Sequence, residues 1–316
     1  QYKTITNSKM PLKALKPNEH NDWLNQRSDL FSSYIPIGDK DDKCIFSIDS
    51  IGLTTGRDAW CCNFSKEVLS KSIRQSIDFY TKQLNEYTEK LSLNKSLTIE
   101  EFIDTNPAKI SWSRGLKNKF KNGSKIQYND DSIVYMSYRA FTKNYVYYDS
   151  CLNEYLYKTS KIFPTRTTSN LVIAVSSAGS NKGLSVLISN NICDAHYNGD
   201  THCFPLYYYE ENKGNIGTLF DQGKENYIRR DGITDFILEQ CRTRYGHKVS
   251  KEDIFYYVYG LLHSKDYREQ FAADLKKMLP RIPLVDVPND FWAFSKAGRE
   301  LAELHLNYES VPAYPD

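Results

Sequence analysis

The sequence lacks the short motifs that mark many nucleotide-binding and hydrolytic enzymes. Its 316 residues contain no GxxxxGK[ST] phosphate loop, no GxGxxG turn, no GxSxG elbow and no HExxH pair. Consecutive prolines are also missing, so the Asn/Asp-Pro-Pro-aromatic motif of amino-methyltransferases is not present. These absences argue against an ATPase, a dinucleotide enzyme, a serine hydrolase, a zinc protease or a methyltransferase within this stretch of chain.

Long apolar runs and paired cysteine motifs are missing as well. No run of 18 apolar residues occurs, and the first 20 residues contain no apolar signal core, so we predict neither a membrane span nor a secretory leader. The seven cysteines are odd in number and form no CxxC pair, which argues against a disulfide framework. We therefore expect reduced thiols in a cytoplasmic protein. The chain does not begin with Met, and we expect a piece of a longer protein.

What the chain does contain is a globular composition with unevenly placed charge. Hydrophobic residues make up 40% and charged residues 25%. The net charge is only +2, yet residues 109–182 hold 12 Lys and Arg against four Asp and Glu, and the remainder is acidic. A basic middle segment fits a surface that faces nucleic acid. A solvated face whose acidic partners lie elsewhere in space would give the same count.

Hydrophobic periodicity indicates helices early and late in the chain, with strands between them. Ser65 caps a predicted helix over about 66–91, followed by short helices in "LTIEEFIDT" and in the basic "WSRGLKNKFKNG". "CIFSIDSIGLTTGRDAWCCNFS" is expected to form a strand, a Gly turn and a strand. "SIVYMSYRAF" and "NYVYYD" form a predicted strand pair joined by "TKN", and further strands are expected at 170–177, 184–189 and 203–210. Four helices are predicted after about 228, one of them with Ser250 and Asp253 as a capping box.

These elements predict an α+β fold, a twisted, mainly antiparallel sheet with flanking helices plus a C-terminal helical lobe. The α+β region is expected to span 1–227 and the helical lobe 228–316. Within them, the sheet covers about 40–225 and the four helices end near 309.

The stretch "CDAHYNGDTHCF" concentrates residues that can bind metals, and three interpretations stay open. Cys193, His196, His202 and Cys203 offer a Cys2His2 set. Neighbouring residues 202 and 203 point to opposite sides of an extended chain, which disfavours one ion between them. A metal-dependent nuclease would instead use the nearby acids and lysine, Asp194, Asp200, Glu211 and Lys213. A Gly-Asp turn between two strands explains the same residues without chemistry.

Long polar side chains at predicted turns are the candidates for DNA contact, because binding residues concentrate in loops on a rigid scaffold. Arginine suits the two acceptors of guanine, asparagine suits adenine, and lysine suits phosphate. The basic helix adds three lysines to these turn residues. The candidates are Arg57, Lys117, Lys119, Lys121, Arg139, Lys143, Arg166, Asn181 and Lys182. Each of them is equally compatible with an ordinary ion pair or a solvated turn.

Several phrases in fixed order resemble one family. They are "TTGRDAWCCNFS", "IDFYTKQL", "ISWSRGLKNKFKNG", "SYRAFTKNYVYYD", "NLVIAVSSAGSNKGLSVLIS", "CFPLY" and the helical "ITDFILEQCRTRYG" to "FWAFSKAGRELAELHLNYE". Together, over roughly 20–309, they resemble the C-terminal target recognition (specificity) domain of single-chain type ISP restriction-modification enzymes. In that family the Asp-x-His turn before "CFPLY" is structural, so Cys193 and His202 are incidental here.

The resemblance implies sequence-specific recognition of duplex DNA by a domain with no catalysis of its own. It also implies an upstream methyltransferase domain in the same chain, for which this module positions the target adenine. The parent chain would be an ATP-dependent restriction endonuclease and adenine-specific methyltransferase that uses S-adenosylmethionine, ATP and Mg. No cofactor is expected in this fragment. A nuclease or a protein-interaction module remains the alternative.

Overall fold

The computed structural model describes residues 14–24, 26–40, 43–178, 183–212 and 226–312. Within these ranges the helices are α1 (Asp29–Ser32), α2 (Asp58–Cys61), α3 (Lys66–Leu93), α4 (Ile99–Phe102), α5 (Arg114–Lys121), α6 (Thr159–Ile162), α7 (Asp235–Tyr245), α8 (Lys251–Leu262), α9 (Lys265–Gln270), α10 (Ala272–Leu275) and α11 (Pro288–Leu306). No helix in the described ranges is long and apolar enough to cross a bilayer.

The strands in the same ranges are short and mostly antiparallel. They are β1 (Ile35–Pro36), β2 (Ser50–Ile51), β3 (Cys62–Asn63), β4 (Ile133–Arg139), β5 (Thr142–Tyr147), β6 (Val172–Ser176), β7 (Val186–Ser189), β8 (Ile192–Cys193), β9 (Thr201–Pro205), β10 (Tyr207–Glu211), β11 (Tyr227–Asp231) and β12 (Arg281–Ile282). The predicted α+β class with a mainly antiparallel arrangement is confirmed.

Two four-stranded sheets form the centre of the molecule. The first has the order β3-β5-β4-β8 and the second β2-β9-β6-β7. All neighbouring strands in them are antiparallel except β4 and β8, which run parallel. Because β7 lies in the second sheet and β8 in the first, the chain passes between the sheets at residues 190–191.

The first sheet packs against the long helix α3. Ser65 accepts a hydrogen bond from the Val68 backbone N–H at 3.3 Å and so caps α3, as predicted. Apolar residues every three or four positions give the helix one buried face, which meets side chains of α5 and β5 in a shared core. Helix α5 starts at Ser113, which accepts from the Leu116 N–H, and is followed by Gly123 at φ +69°.

The second sheet packs against the C-terminal helices. Side chains of β6, β7 and β9 share one core with α7, α8 and α11, so the predicted division at 227/228 runs through that core. Helices α8 and α11 approach closely at Gly260 and Gly298, where an added Cβ at Gly298 would lie 2.0 Å from the Tyr256 carbonyl oxygen. Strand β12 also pairs with β1 near the start of the described chain. The C-terminal helices are therefore part of the same body as the second sheet.

Some elements differ from the expectation. The β4–β5 hairpin turns at Ala140–Phe141 and not at "TKN", because Phe141 adopts φ +52°. One strand was predicted over 203–210, but β9 ends and β10 begins within this span, and the two strands belong to different sheets. Between β2 and β3, the expected Gly turn leads into the short helix α2. Residues 265–275 form two short helices where one was predicted.

Candidate nucleic-acid interface

A polar cleft of about 550 Å³ opens where the chain crosses between the two sheets. Its walls come from the turn before β4, the turn after α6 and the connection from β7 to β8. Among the described residues that line it there is one cation, surrounded by amides, hydroxyls and aromatic rings. The polar lining consists of Asn129, Asp131, Ser132, Tyr135, Tyr148, Thr165, Arg166, Thr167, Thr168, Asn190 and Asn191.

The turn that carries Arg166 is held by hydrogen bonds at both ends. The Thr165 N–H donates to Thr168 Oγ1 at 3.2 Å, and the Thr168 N–H donates to the Thr165 carbonyl at 3.1 Å. Just after the turn, the buried Asn170 amide donates to the carbonyls of Ile162 at 3.0 Å and Tyr207 at 2.7 Å. The backbone on either side of Arg166 is therefore tied to the body of the protein.

Hydrogen bonds also hold the turn that carries Asp131, on the opposite wall of the cleft. The Asp131 N–H donates to the side chain of Asn129 at 3.0 Å, which caps the short 3₁₀ turn before β4. The Tyr148 N–H closes this turn onto the Ser132 carbonyl at 2.7 Å. Across the cleft, Arg166 Nη1 donates to Asp131 Oδ1 at 2.8 Å, and both side chains are well exposed.

The third wall presents two asparagine side chains. The buried hydroxyls of Ser137 and Ser189 lie 2.8 Å apart and join β4 to β7. Ser189 Oγ also accepts from the Asn191 N–H and donates to its carbonyl, both at 3.0 Å. Asn191 Nδ2 donates to Asn190 Oδ1 at 2.8 Å, and Asn190 is exposed. This arrangement presents amide groups of the kind that read adenine.

Two predicted cations on the β4–β5 hairpin already have partners. Lys143 pairs with Glu309 at 3.2 Å and lies 4.8 Å from the Tyr308 ring centroid. Arg139 donates to Asp194 Oδ1 at 2.6 Å. Burial raises the pKa of the Asp194 carboxyl, although the Arg139 charge works in the other direction. Neither cation projects freely from the hairpin.

Arg57 does not project from its turn, which contradicts the sequence-based expectation. The residue is only 5% exposed. Its Nε donates to the Ser111 carbonyl at 3.2 Å, and Nη1 donates to the Leu152 carbonyl. Its Nη2 lies 3.8 Å from Glu154 Oε2, and the Glu154 carboxylate also accepts from the Gly115 N–H at 3.1 Å. Arg57 thus joins three chain segments inside the protein and offers no edge to DNA.

The three lysines of α5 are placed differently from one another. Lys121 is exposed and Lys117 is half-buried. Lys119 donates to the carbonyls of Ser150 and, at 3.2 Å, of Cys151. Of these three lysines, Lys117 and Lys121 make no such carbonyl contact among the described residues. Asn181 and Lys182, the remaining candidates, lie outside the described residues.

The ligand-rich stretch is divided among separate contacts. Cys193 and Cys203 meet in a buried cluster, where the neighbouring Cys193 thiol and burial raise the pKa of the Cys203 thiol. His202 Nδ1 lies 3.3 Å from Asp49 Oδ2, whereas His196 Nδ1 lies 3.2 Å from Asp200 Oδ1. In the described part of the chain, no three His, Cys, Asp or Glu side chains converge as a metal site would need.

The alternative nuclease set does not come together either. Asp194 is buried against Arg139, and Asp200 pairs with His196 on a turn where its φ is +45°. Glu211 is exposed at the end of β10. Lys213 lies outside the described residues. The arrangement gives this set no support as a two-metal phosphodiesterase.

The cleft contains residues that the sequence alone did not single out. Arg166 was a candidate, but Asp131, Asn190 and Asn191 were not. The available signal was local, since "NN" directly after the buried strand "VLIS" and "TRTT" after "FP" place polar side chains at strand and helix ends. That the two stretches face each other depends on the crossing between sheets, which no local pattern reveals.

Comparison with known proteins gives a consistent result. A family model, the Type ISP C-terminal specificity domain, matches residues 44–316. The comparison with curated proteins found no match.

Solved structures extend the likeness to almost the whole chain. A nuclease-deletion mutant of the Type ISP restriction-modification enzyme LlaGI, in complex with a DNA substrate mimic, is 34% identical with a TM-score of 0.79 over 97% of this chain and 26% of that one. The ATP-dependent Type ISP restriction-modification enzyme LlaBIII bound to DNA is 34% identical with a TM-score of 0.80, over 95% of this chain and 18% of that one. The DrdV–DNA complex is 28% identical with a TM-score of 0.79, over 97% of this chain and 29% of that one. This chain therefore spans less than a third of each of those chains.

Proposed function

The chain belongs to the Type ISP C-terminal specificity domain family, and from this premise we propose that it recognises a specific sequence in duplex DNA for a restriction-modification enzyme. The observation that carries the proposal is its likeness, over nearly its whole length, to part of two Type ISP enzymes that were solved on DNA or a DNA mimic. The polar cleft supports it, because amide, hydroxyl and guanidinium groups are the side chains that read base edges.

The proposed division of labour follows from the placement of charge. The exposed cations of α5 contact phosphates and hold the protein on DNA without regard to sequence. The cleft, with one cation and many uncharged polar groups among its described residues, supplies the discrimination between bases. The two parts are adjacent in the fold, since Ile133 of β4, next to the Asp131 turn, shares a core with Leu116 and Phe120 of α5. This role asks for binding and orientation and for no bond to be broken by this chain.

We propose further that the larger enzyme supplies the chemistry. An upstream domain of the same chain would methylate the N6 of an adenine that this module positions and that is flipped out of the duplex. The parent enzyme would use S-adenosylmethionine for that step, and ATP with Mg for restriction. The cytoplasm, where DNA is accessible, suits the seven free cysteines.

Selection from a randomised duplex pool tests the proposal. The chain is expected to enrich one short sequence, and its affinity for that sequence is expected to exceed its affinity for scrambled duplex at equal salt. A steep loss of binding with added salt is expected for both duplexes. Binding that enriches no sequence would overturn sequence recognition. Cleavage of DNA by the isolated chain with Mg or Mn would favour the nuclease alternative.

A further inference from the structure

We propose that Arg166 reads a guanine in the major groove and that Asp131 is the positioning residue that orients its guanidinium. The inference rests on the proposed function, because it assigns one base contact within that DNA-recognition role. It follows from the geometry of the ion pair, the rigidity of both walls and the polarity of the surrounding cleft.

The ion pair leaves most of the guanidinium available. Arg166 Nη1 donates to Asp131 Oδ1 at 2.8 Å, and this is the hydrogen bond that the described structure records for the Arg166 side chain. A guanidinium has five N–H donors in one plane, so Nη2 and Nε keep donors for a second partner. Guanine presents O6 and N7 in the major groove, two acceptors that match such a fork.

Asp131 restricts which edge of the guanidinium is free. A carboxylate that holds Nη1 from one side favours orientations in which the opposite edge faces the cleft, which lowers the entropy lost when a base binds. The backbone of each partner is itself held, Asp131 by the capped 3₁₀ turn and Arg166 by the turn that Asn170 ties down. The backbone that carries each partner is therefore held before DNA arrives, and the ion pair favours one orientation of the guanidinium.

The surroundings favour a base over a phosphate. Phosphate contacts in proteins come from Arg and Lys, from uncharged polar side chains and from backbone N–H groups, and a neighbouring carboxylate disfavours them. Here the cation is alone among the described lining residues, and the carboxylate of Asp131 beside it would repel a phosphate oxygen. The other groups within the cleft, such as Thr167 and Asn190, are uncharged side chains that can contact a base edge or a phosphate, so the preference for a base rests on the Asp131 carboxylate.

The other arginine and lysine candidates in the described turns are less suited to this task. Arg57 is buried, Arg139 is held by the buried Asp194, and Lys143 lies against Glu309 and Tyr308. Arg166, with a side chain 48% exposed, forms its ion pair with a carboxylate that is itself 76% exposed. It can therefore turn to a base at the smallest cost in existing contacts.

The test compares variants of the chain on the duplex sequence that wild type enriches from a randomised pool. Arg166→Ala and Arg166→Lys are expected to lose discrimination at a single G·C position, with affinity for the preferred duplex falling roughly ten- to hundred-fold. Affinity for a scrambled duplex should change little. Asp131→Asn is expected to weaken discrimination at the same position by a smaller factor, since it keeps an acceptor but loses the charge. Thermal melts confirm that each variant is folded.

Arg230→Ala is the matched control. Arg230 pairs with Glu210 at 3.0 Å on the β10–β11 hairpin, its side chain is 51% exposed, and it does not line the cleft. This variant is expected to keep the wild-type preference at every position.

Each other outcome counts against a defined part of the proposal. Equal weakening on all duplexes in Arg166→Ala would show a phosphate contact and overturn base reading. An unchanged profile, or a change at a position other than G·C, would overturn it as well. Wild-type discrimination in Asp131→Asn would overturn the positioning role alone. If the wild-type chain itself enriches no sequence, the proposed function fails first, and the guanine contact fails with it.

Discussion

The turn around Arg57 and the turn around Arg166 differ in where their guanidinium groups find partners. Arg57 bonds to backbone carbonyls 54 and 95 residues away in sequence and lies near the Glu154 carboxylate. Arg166 has an exposed carboxylate as its partner and shares it with solvent. The donors of a guanidinium surrounded by buried carbonyls are used within the fold, whereas a guanidinium held by a single exposed carboxylate keeps donors for a ligand. The number and burial of partners therefore separate a structural arginine, such as Arg57, from one whose donors remain accessible, such as Arg166.

The largest expected effect is on stability, in Arg57→Ala. Removing a buried cation takes away the counter-charge near Glu154, leaves the Ser111 carbonyl without its donor, and leaves the Leu152 carbonyl with only the weak Cys61 thiol donor at 3.7 Å. We expect the free energy of unfolding to fall by about 3–5 kcal/mol. Arg166→Ala is expected to change it by less than about 0.5 kcal/mol, as is usual for an exposed side chain. Urea denaturation of the two variants measures both values, and similar losses would mean that the two arginines do not differ in role.

An intermediate effect is expected in Asn170→Ala, which removes the clamp below the Arg166 turn. The carbonyls of Ile162 and Tyr207 lose their donor in a buried place, which costs about 1–3 kcal/mol of stability. Because the turn is no longer tied down, discrimination at the Arg166 position should also weaken although Arg166 is intact. Arg230→Ala is again the control, since its exposed side chain lies outside the cleft and can be removed at little cost in stability. Full discrimination in the destabilised Asn170 variant would show that the clamp does not orient Arg166.

Local patterns in the sequence predicted the parts of the fold that local interactions determine. Helix α3 and its Ser65 cap follow from apolar spacing and one side-chain hydrogen bond, and the Ser250–Asp253 capping box is present as expected. The sequence predicted the β4–β5 turn at the wrong residues. The turn lies at Ala140–Phe141, where Phe141 adopts a positive φ that is uncommon for its residue type. The resemblance identified the family, which the family model and the solved structures confirm.

The candidate site was only partly predictable for a physical reason. Arg57 and Arg166 each follow a turn residue, and nothing adjacent distinguishes them. What distinguishes them is supplied by distant segments, namely the 111 and 152 carbonyls for Arg57 and Asp131, 35 residues away, for Arg166. Such pairs are products of the crossing between sheets and of the packing of α5, and neither has a signature in local spacing.

A smaller effect on DNA binding is expected from the lysines of α5. As with the two arginines, one of these lysines is held by backbone carbonyls and the others are not. Lys117→Ala and Lys121→Ala should each weaken binding to all duplexes alike and reduce the salt slope by about 0.9 for every DNA phosphate that the variant no longer neutralises. Lys119→Ala should reduce it less, because Lys119 already donates to the carbonyls of Ser150 and Cys151. Titrations at several salt concentrations give the slopes. Unchanged slopes in all three variants would show that α5 is a solvated face.

The smallest expected effect is the change in Tm on adding a metal chelator. This experiment tests whether the stretch from Cys193 to Cys203 is held by protein contacts alone, as Arg57 is, or by a bound metal. Cys193 and Cys203 are buried in an apolar cluster with side chains such as Leu53. His202 is turned towards Asp49 and His196 towards Asp200. We therefore expect no stoichiometric zinc in the purified protein by elemental analysis, and no change in Tm when a chelator is added. One equivalent of zinc that survives dialysis and is lost in Cys193→Ser would contradict this. In that case a metal ion would stabilise the turn between β8 and β9, and the interpretation of that stretch as a turn without chemistry would be wrong.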